Sequence, residues 1–169
     1  GLTSTELGAL TVTTQLSGLT STQISSLTTT QLTGLTSTEL GALTVTTQLS
    51  GLTSTQISSL TTTQLTGLTS TELGALTVTT QLSGLTSTQI SSLTSTQASG
   101  LTSTEVSSLT TTQFTALTST EIIGLTTTAV SGLSSTQIGS LTTTQEAGLT
   151  STQIGSLTTT QGAGLTSTQ

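Results

Sequence analysis

The 169-residue sequence contains no cysteine, histidine, lysine, arginine, aspartate, asparagine, proline, methionine, tyrosine or tryptophan, and only one phenylalanine. Without cysteine or histidine there is no thiolate or imidazole chemistry, no disulfide framework, and no zinc, haem or iron–sulfur site of the usual kind. Without a single cation against six glutamates, nothing can neutralise phosphate, so nucleic acid and anionic membrane surfaces are excluded as partners. No apolar run approaches the roughly 20 residues that span a bilayer, so membrane insertion is not expected. The missing asparagine rules out N-glycosylation, and the missing proline is unlike a mucin stalk.

What remains is a ten-letter alphabet in which Thr (53) and Ser (28) fill nearly half the chain. Such low complexity suggests disorder, but Leu, Ile, Val and Phe total 42 residues, above the level typical of disordered chains, and they fall at fixed places. The sequence is a single repeat array over 1–169, with near-identical blocks at 1–33, 34–66 and 67–99 and diverged octads over 100–169. Copies followed by drift after residue 94 read as duplication and divergence. Within the blocks lies an eight-residue unit, L-T-S/T-T-Q/E-I/L-x-G/S, that begins with Leu 21 times, from Leu2 and Leu10 to Leu157 and Leu165. Three units, at Leu10, Leu43 and Leu76, carry a ninth residue and read LTVTTQLSG.

Counted from Leu2, the odd units have Ser in third place, whereas even units have Thr or Val there, Ser95 excepted. Even units also lose their sixth-place aliphatic at Ala98, Glu146 and Gly162. This alternation suggests octads paired into coils of 16–17 residues, one side more deeply buried than the other. Stacking would align Glu6, Glu39, Glu72 and Glu105, which lie 33 apart.

Apolar spacings of five and then three fit neither a continuous helix nor simple strand alternation. Local chemistry favours very short helices. In LTSTQI, Thr serves as N-cap and Gln or Glu stands at N3, forming a capping box, while the flanking Leu and Ile form a hydrophobic staple. Gln or Glu occupies that N3 place in 20 of 21 units, Ala129 being the exception. A last-place Gly, as at Gly34 and Gly67, suits a left-handed C′ followed by an apolar residue. The free exchange of Gln for Glu implies that N3 is exposed, because a buried carboxylate ladder without cations would be costly. The fold expected is therefore all-α, a solenoid rod of very short capped helices. The alternative is a β-solenoid with threonine rows. A lone octad cannot bury enough surface to fold, so under either reading stability grows with copy number.

The sequence offers no base to activate its hydroxyls, and its glutamates recur as repeat copies rather than converging, so no catalytic, cofactor-binding or metal residues are expected. The Glu row at 6, 39, 72 and 105 lacks the six to eight oxygen ligands of a calcium loop and reads as capping residues that also confer solubility. Glu146, in an apolar place, reads as exposed in preference to a partner contact, and the lone aromatic Phe114 as packed on the rod in preference to packed against a neighbouring rod.

The LTSTQI and LTTTQL units resemble the Leu/Thr/Gln octad tracts of very large secreted or surface-anchored bacterial adhesin-like proteins, and the likeness runs along the whole chain. LTSTQI is also similar to the way TAL-effector repeats open a helix, although those repeats read DNA with a basic scaffold that is missing here. The resemblance implies an extracellular or cell-surface stalk, sheath or self-assembling filament, without catalysis. Its partners would be itself, end to end or laterally, and cell-surface or matrix components. An array that opens at Gly1 and stops mid-octad at Gln169 adds to the expectation of end-to-end association. The alternative function, ice or polysaccharide binding by regular Thr arrays, requires the β-solenoid.

Overall fold

A computed structural model describes residues 2–165, so Gly1 and Gln169, the two ends of the array, lie outside it. The described residues are helical and contain no strand. Seventeen α-helices succeed one another, from Ser4–Leu7 to Thr159–Gly162. None is longer than six residues, as in Ser54–Ser59. Each regular unit forms one helix, entered at its second-place Thr or Ser and ended one to three residues before the next unit opens.

The local chemistry accounts for each entry. In the helix Thr62–Leu65, the N-cap Thr61 is extended (φ −74°, ψ 156°), its hydroxyl accepts the Gln64 N–H, and Gln64 reaches back to the Thr61 backbone. Isolated helices this short are unstable in water because nucleation is costly. Here the box satisfies orphan donors at the start, and tertiary packing supplies the rest. The first-place and sixth-place apolar residues both point inward, as the staple pairing requires: Leu60 is 4% exposed, Leu65 1% and Leu68 2%. Phe114 is likewise buried, in one continuous core with these residues.

Burial corrects the expectation that one kind of unit is more deeply buried than the other. Leu32, Leu65, Ala98, Phe114 and Val130 stand in the sixth place of even units and are buried as completely as Ile57 or Ile90 in odd ones. Both kinds of unit face the same core.

The contacts between helices correct the pairing into 16–17-residue coils. The most extensive helix-to-helix contacts join units three apart in sequence, such as Ser95–Ala98 with Ser119–Gly124, and Ser37–Leu40 with Thr62–Leu65. Side-chain hydrogen bonds also bridge 29 and 32 residues, from Gln64 to Leu35 and Leu32. Each unit therefore sits across the units three and four places before it.

This geometry explains the odd–even alternation by a different cause. Three is an odd number, so each contact between units three apart joins an odd unit to an even one. A Cβ added to Gly67, last in its unit, would lie 2.5 Å from the carbonyl carbon of Ser37 and closer still to its oxygen. Ser37 is third in the unit three places earlier. The same close approach joins Gly84 to Ser54, Gly100 to Ser70, Gly132 to Ser103 and Gly148 to Ser119. Ser95 is the one even unit with third-place Ser, and Gly124 is the one odd unit with last-place Gly. The two exceptions meet, with the Gly124 Cβ position 2.7 Å from Ser95 Cα. Two departures from the alternation are thus one compensated contact.

These glycines are also not left-handed helix ends. No residue among those described has a positive φ. At these places glycine serves backbone-to-backbone approach, where a Cβ would enter the neighbouring helix, and not an unusual turn; one even unit carries Ala116 there instead.

The nine-residue units absorb their extra residue by widening the first turn. Leu16, Leu49 and Leu82 N–H groups donate to Thr11, Thr44 and Thr77 carbonyls, five residues back. The result is a π-helical turn at Val12–Leu16, and turns closed by 3₁₀ segments at Leu49–Gly51 and Leu82–Gly84. The Gln keeps its place despite the insertion, since the Thr44 backbone N–H still donates to Gln48 Oε1 at 3.0 Å.

Candidate functional site

The polar groups that the sequence places at N3 are the most elaborate feature of the interior, and they are buried. Gln56, Gln64, Gln89, Gln97, Gln145, Gln153 and Gln161 are each 2–4% exposed. The expectation of an exposed N3 is therefore overturned. The staple turns the helix start toward the core, and the long N3 side chain then lies along the seam between units.

Gln64 shows what the seam requires. Its Oε1 accepts the Thr61 backbone N–H at 2.9 Å and the Thr61 hydroxyl at 3.1 Å. Its Nε2 donates to the Leu32 and Leu35 carbonyls, both at 2.7 Å. Leu32 ends its helix, so its carbonyl belongs to the set that a short helix leaves without a full complement of donors. One amide thus caps the start of its own helix with its oxygen and the end of an earlier helix with its nitrogen. Gln89 bridges Ile57 and Leu60 in the same way, Gln97 Leu65 and Leu68, and Gln153 Ile122 and Leu125. A carboxamide is suited to this place because it carries an acceptor and two donors on one planar group.

The N-cap hydroxyl completes the arrangement, accepting the Gln64 N–H at 3.1 Å. Thr61→Val should therefore lower stability by about 1 kcal/mol, the usual worth of an N-cap. A shift of the denaturation midpoint without a change in helical circular dichroism at low denaturant is the check. Elsewhere hydroxyls serve their own helices: Ser59 and Thr66 donate to the Gln56 and Thr63 carbonyls. The fourth-place Thr30, Thr63 and Thr96 stand exposed on the outside.

The glutamates fall into three environments. Glu6 is exposed, and hydrogen bonds from the Thr3 backbone N–H and then its hydroxyl hold its carboxyl below the ordinary range. Through that linkage Glu6 adds stability above the ordinary carboxylate range and loses it as pH falls through its lowered value. Glu39, Glu72, Glu105 and Glu121 occupy N3 like the glutamines and are 2–6% exposed. Glu146 is half-buried in sixth place, where exposure was expected, and its Oε1 is buried without a partner. It borders an open apolar recess of about 210 Å³ with Leu149, Ile154 and Leu165. No three acidic side chains converge among the described residues. Among the described residues no helix is long and apolar enough to cross a membrane.

The buried ladder was not foreseen, although one signal for it is present. A merely exposed cap would tolerate Ser, Asp or Ala at N3, whereas this chain keeps Gln or Glu in 20 of 21 units. Strict retention of a long carboxamide or carboxyl points to two simultaneous partners. No protein-family model, curated protein sequence or solved structure matches the chain.

Proposed function

We propose that the chain is a structural repeat protein, a solenoid rod acting as an extracellular or cell-surface stalk, sheath or filament segment, with no catalytic role. The units would wind with between three and four per turn, each lying over the seam between units three and four places earlier. The carrying observation is the amide ladder. The buried N3 glutamines donate backward to carbonyls of earlier units, so the same stacking rule recurs along the array and is interrupted only where Glu or Ala129 stands at N3. Length then follows copy number, as in other quasi-one-dimensional proteins. Self-association, end to end or lateral, and contact with cell-surface or matrix components follow from the same reading.

The absence of strands among the described residues removes the flat threonine rows that ice or polysaccharide recognition would need. The exposed fourth-place hydroxyls stand on separate short helices instead. Negative-stain electron microscopy and small-angle scattering of the full chain provide the test. Elongated particles or filaments, with a scattering profile of a folded rod, are the expected result. A strictly monomeric, disordered profile would sink the proposal.

A further inference from the structure

The amide ladder is not equally dense along the array. In the blocks a carboxyl rung stands alone, Glu39 between Gln31 and Gln48, and Glu72 between Gln64 and Gln81. Further on, the side chains of Glu105, Glu121 and Ala129 make no hydrogen bond to another unit among the described residues, their capping bonds being to Thr102, Thr118 and Thr126 of their own units. Gln137 bridges by one bond, to the Val106 carbonyl at 3.0 Å. From Glu105 to Gln137 only Gln113 forms a full rung, donating to Leu82 at 3.0 Å and Leu85 at 2.8 Å.

The accepting side has a matching gap. Leu93, Leu101 and Leu109 open three successive units and are 4%, 2% and 5% exposed, yet no protein donor reaches their carbonyls among the described residues. Leu43 and Leu76 also lack one, but each stands between units whose first-place carbonyls take a glutamine amide: Leu35 and Leu52 in one case, Leu68 and Leu85 in the other. Buried polar groups left short of a partner weigh against the folded state. Glu105 Oε1, buried and unpartnered, adds one more in the same stretch.

The gap makes one division of the array cheaper than the rest. Parting it between Gly67 and Leu68 breaks the amide bonds of Gln81 to Leu49 and Leu52, of Gln89 to Ile57 and Leu60, and of Gln97 to Leu65. Parting it between Gly100 and Leu101 breaks only those of Gln113. That boundary is also where the near-identical blocks give way to the diverged octads. What closes it at rest is the approach of Gly124 to Ser95, with the packing of Ser119–Gly124 on Ser95–Ala98. The neighbouring even unit, with Ala116 in its last place, adds no glycine contact.

We propose that the array is jointed at Gly100–Leu101, so that residues 101–165 part from the blocks and open as one unit while the blocks stay folded. In a load-bearing rod this joint is the yield point, releasing roughly 200 Å of chain. That consequence rests on the structural reading above, whereas the joint itself does not.

Native-state hydrogen exchange of the full chain, followed by mass spectrometry at rising denaturant, is the test. Amides of 101–161 should open together, about tenfold or more above the slowest copy of the block peptides. The variant E105Q/E121Q/A129Q, which gives each bare rung the residue usual at N3, should reduce that opening by about tenfold or more. E39Q/E72Q, which changes rungs within the blocks, should leave the difference in place. Gln113→Ala removes the last full rung across the joint and should quicken exchange over 101–161 without changing the slowest block peptides. Exchange of 101–161 that matches the slowest block peptides overturns the proposal, as does exchange that quickens gradually toward residue 165 in the manner of a fraying end. A difference that neither the triple variant nor Gln113→Ala moves, or that E39Q/E72Q abolishes, also overturns it. None of these outcomes depends on whether the chain polymerises or bears load.

Discussion

Gly67→Ala is expected to destabilise the array by about 3 kcal/mol or more, whereas Gly162→Ala is expected to be neutral or to stabilise it by roughly 0.5–1 kcal/mol. The same methyl group is added in both cases, and neither glycine has a positive φ, so backbone conformation does not separate them. Space does. At Gly67 the new Cβ would lie 2.9 Å from Ser37 Cα and 2.5 Å from its carbonyl carbon, and the obstacle is backbone that cannot rotate away. Relief demands that the whole helix Thr62–Leu65 lift from Ser37–Leu40, which opens the seam where Leu65 and Leu68 are buried. At Gly162 nothing lies within 4 Å, and alanine there gains helix propensity in Thr159–Gly162. Paired denaturation curves of the two variants make the comparison. Equal midpoints would mean that units do not approach backbone to backbone.

The short helices, their capping boxes and the inward Leu and Ile were legible because they depend on interactions within one octad. Thr61, Gln64 and the staple residues Leu60 and Leu65 lie within six positions of one another, and the chemistry of capping fixes their roles. What lay between octads was read less well. The alternation of Ser and Thr is visible as a period of two units, and a period of two is compatible with contacts at one, three or any odd number of units. The paired coil took the shortest of these, whereas the helices in contact belong to units three apart. The compensated exception of Ser95 with Gly124 carried the right answer in the sequence, since those two residues break the pattern three units apart.

The glycines were misread for a related reason. Glycine before a hydrophobic residue at a helix end fits the left-handed cap equally well on local grounds, and only the neighbour's backbone shows that the missing Cβ is what counts. The Gln and Glu exchange was misread through its energetics. A buried carboxylate row without cations is indeed costly, and from that cost the N3 place was read as exposed. The seam instead asks for a donor, which a carboxamide supplies alongside its acceptor.

Gln64→Ala against Gln23→Ala isolates the worth of the ladder. Both glutamines close a capping box: Gln23 Oε1 accepts the Thr20 N–H at 2.9 Å, as Gln64 Oε1 accepts that of Thr61. Gln23 is exposed, and its amide nitrogen bonds to no other unit among the described residues, whereas Gln64 is 4% exposed and bridges two carbonyls. Gln23→Ala should therefore cost about 0.5–1 kcal/mol, the loss of half a surface cap. Gln64→Ala leaves the Thr61 N–H and the Leu32 and Leu35 carbonyls short of a partner in a buried seam, at about 1–3 kcal/mol for each group that water cannot reach. A difference of roughly 3 kcal/mol or more between the two variants is the expected result, read from denaturation midpoints at fixed slope. The array already contains one such rung, because Ala129 occupies N3 with full burial and its unit forms the helix Thr127–Ser131 without a capping box. A single lost rung is thus compatible with the fold, so Gln64→Ala should remain helical in water and show its cost in the midpoint. If both variants fall by the same small amount, the amide nitrogens contribute nothing across the seam, and the stacking would rest on apolar burial and the glycine contacts alone.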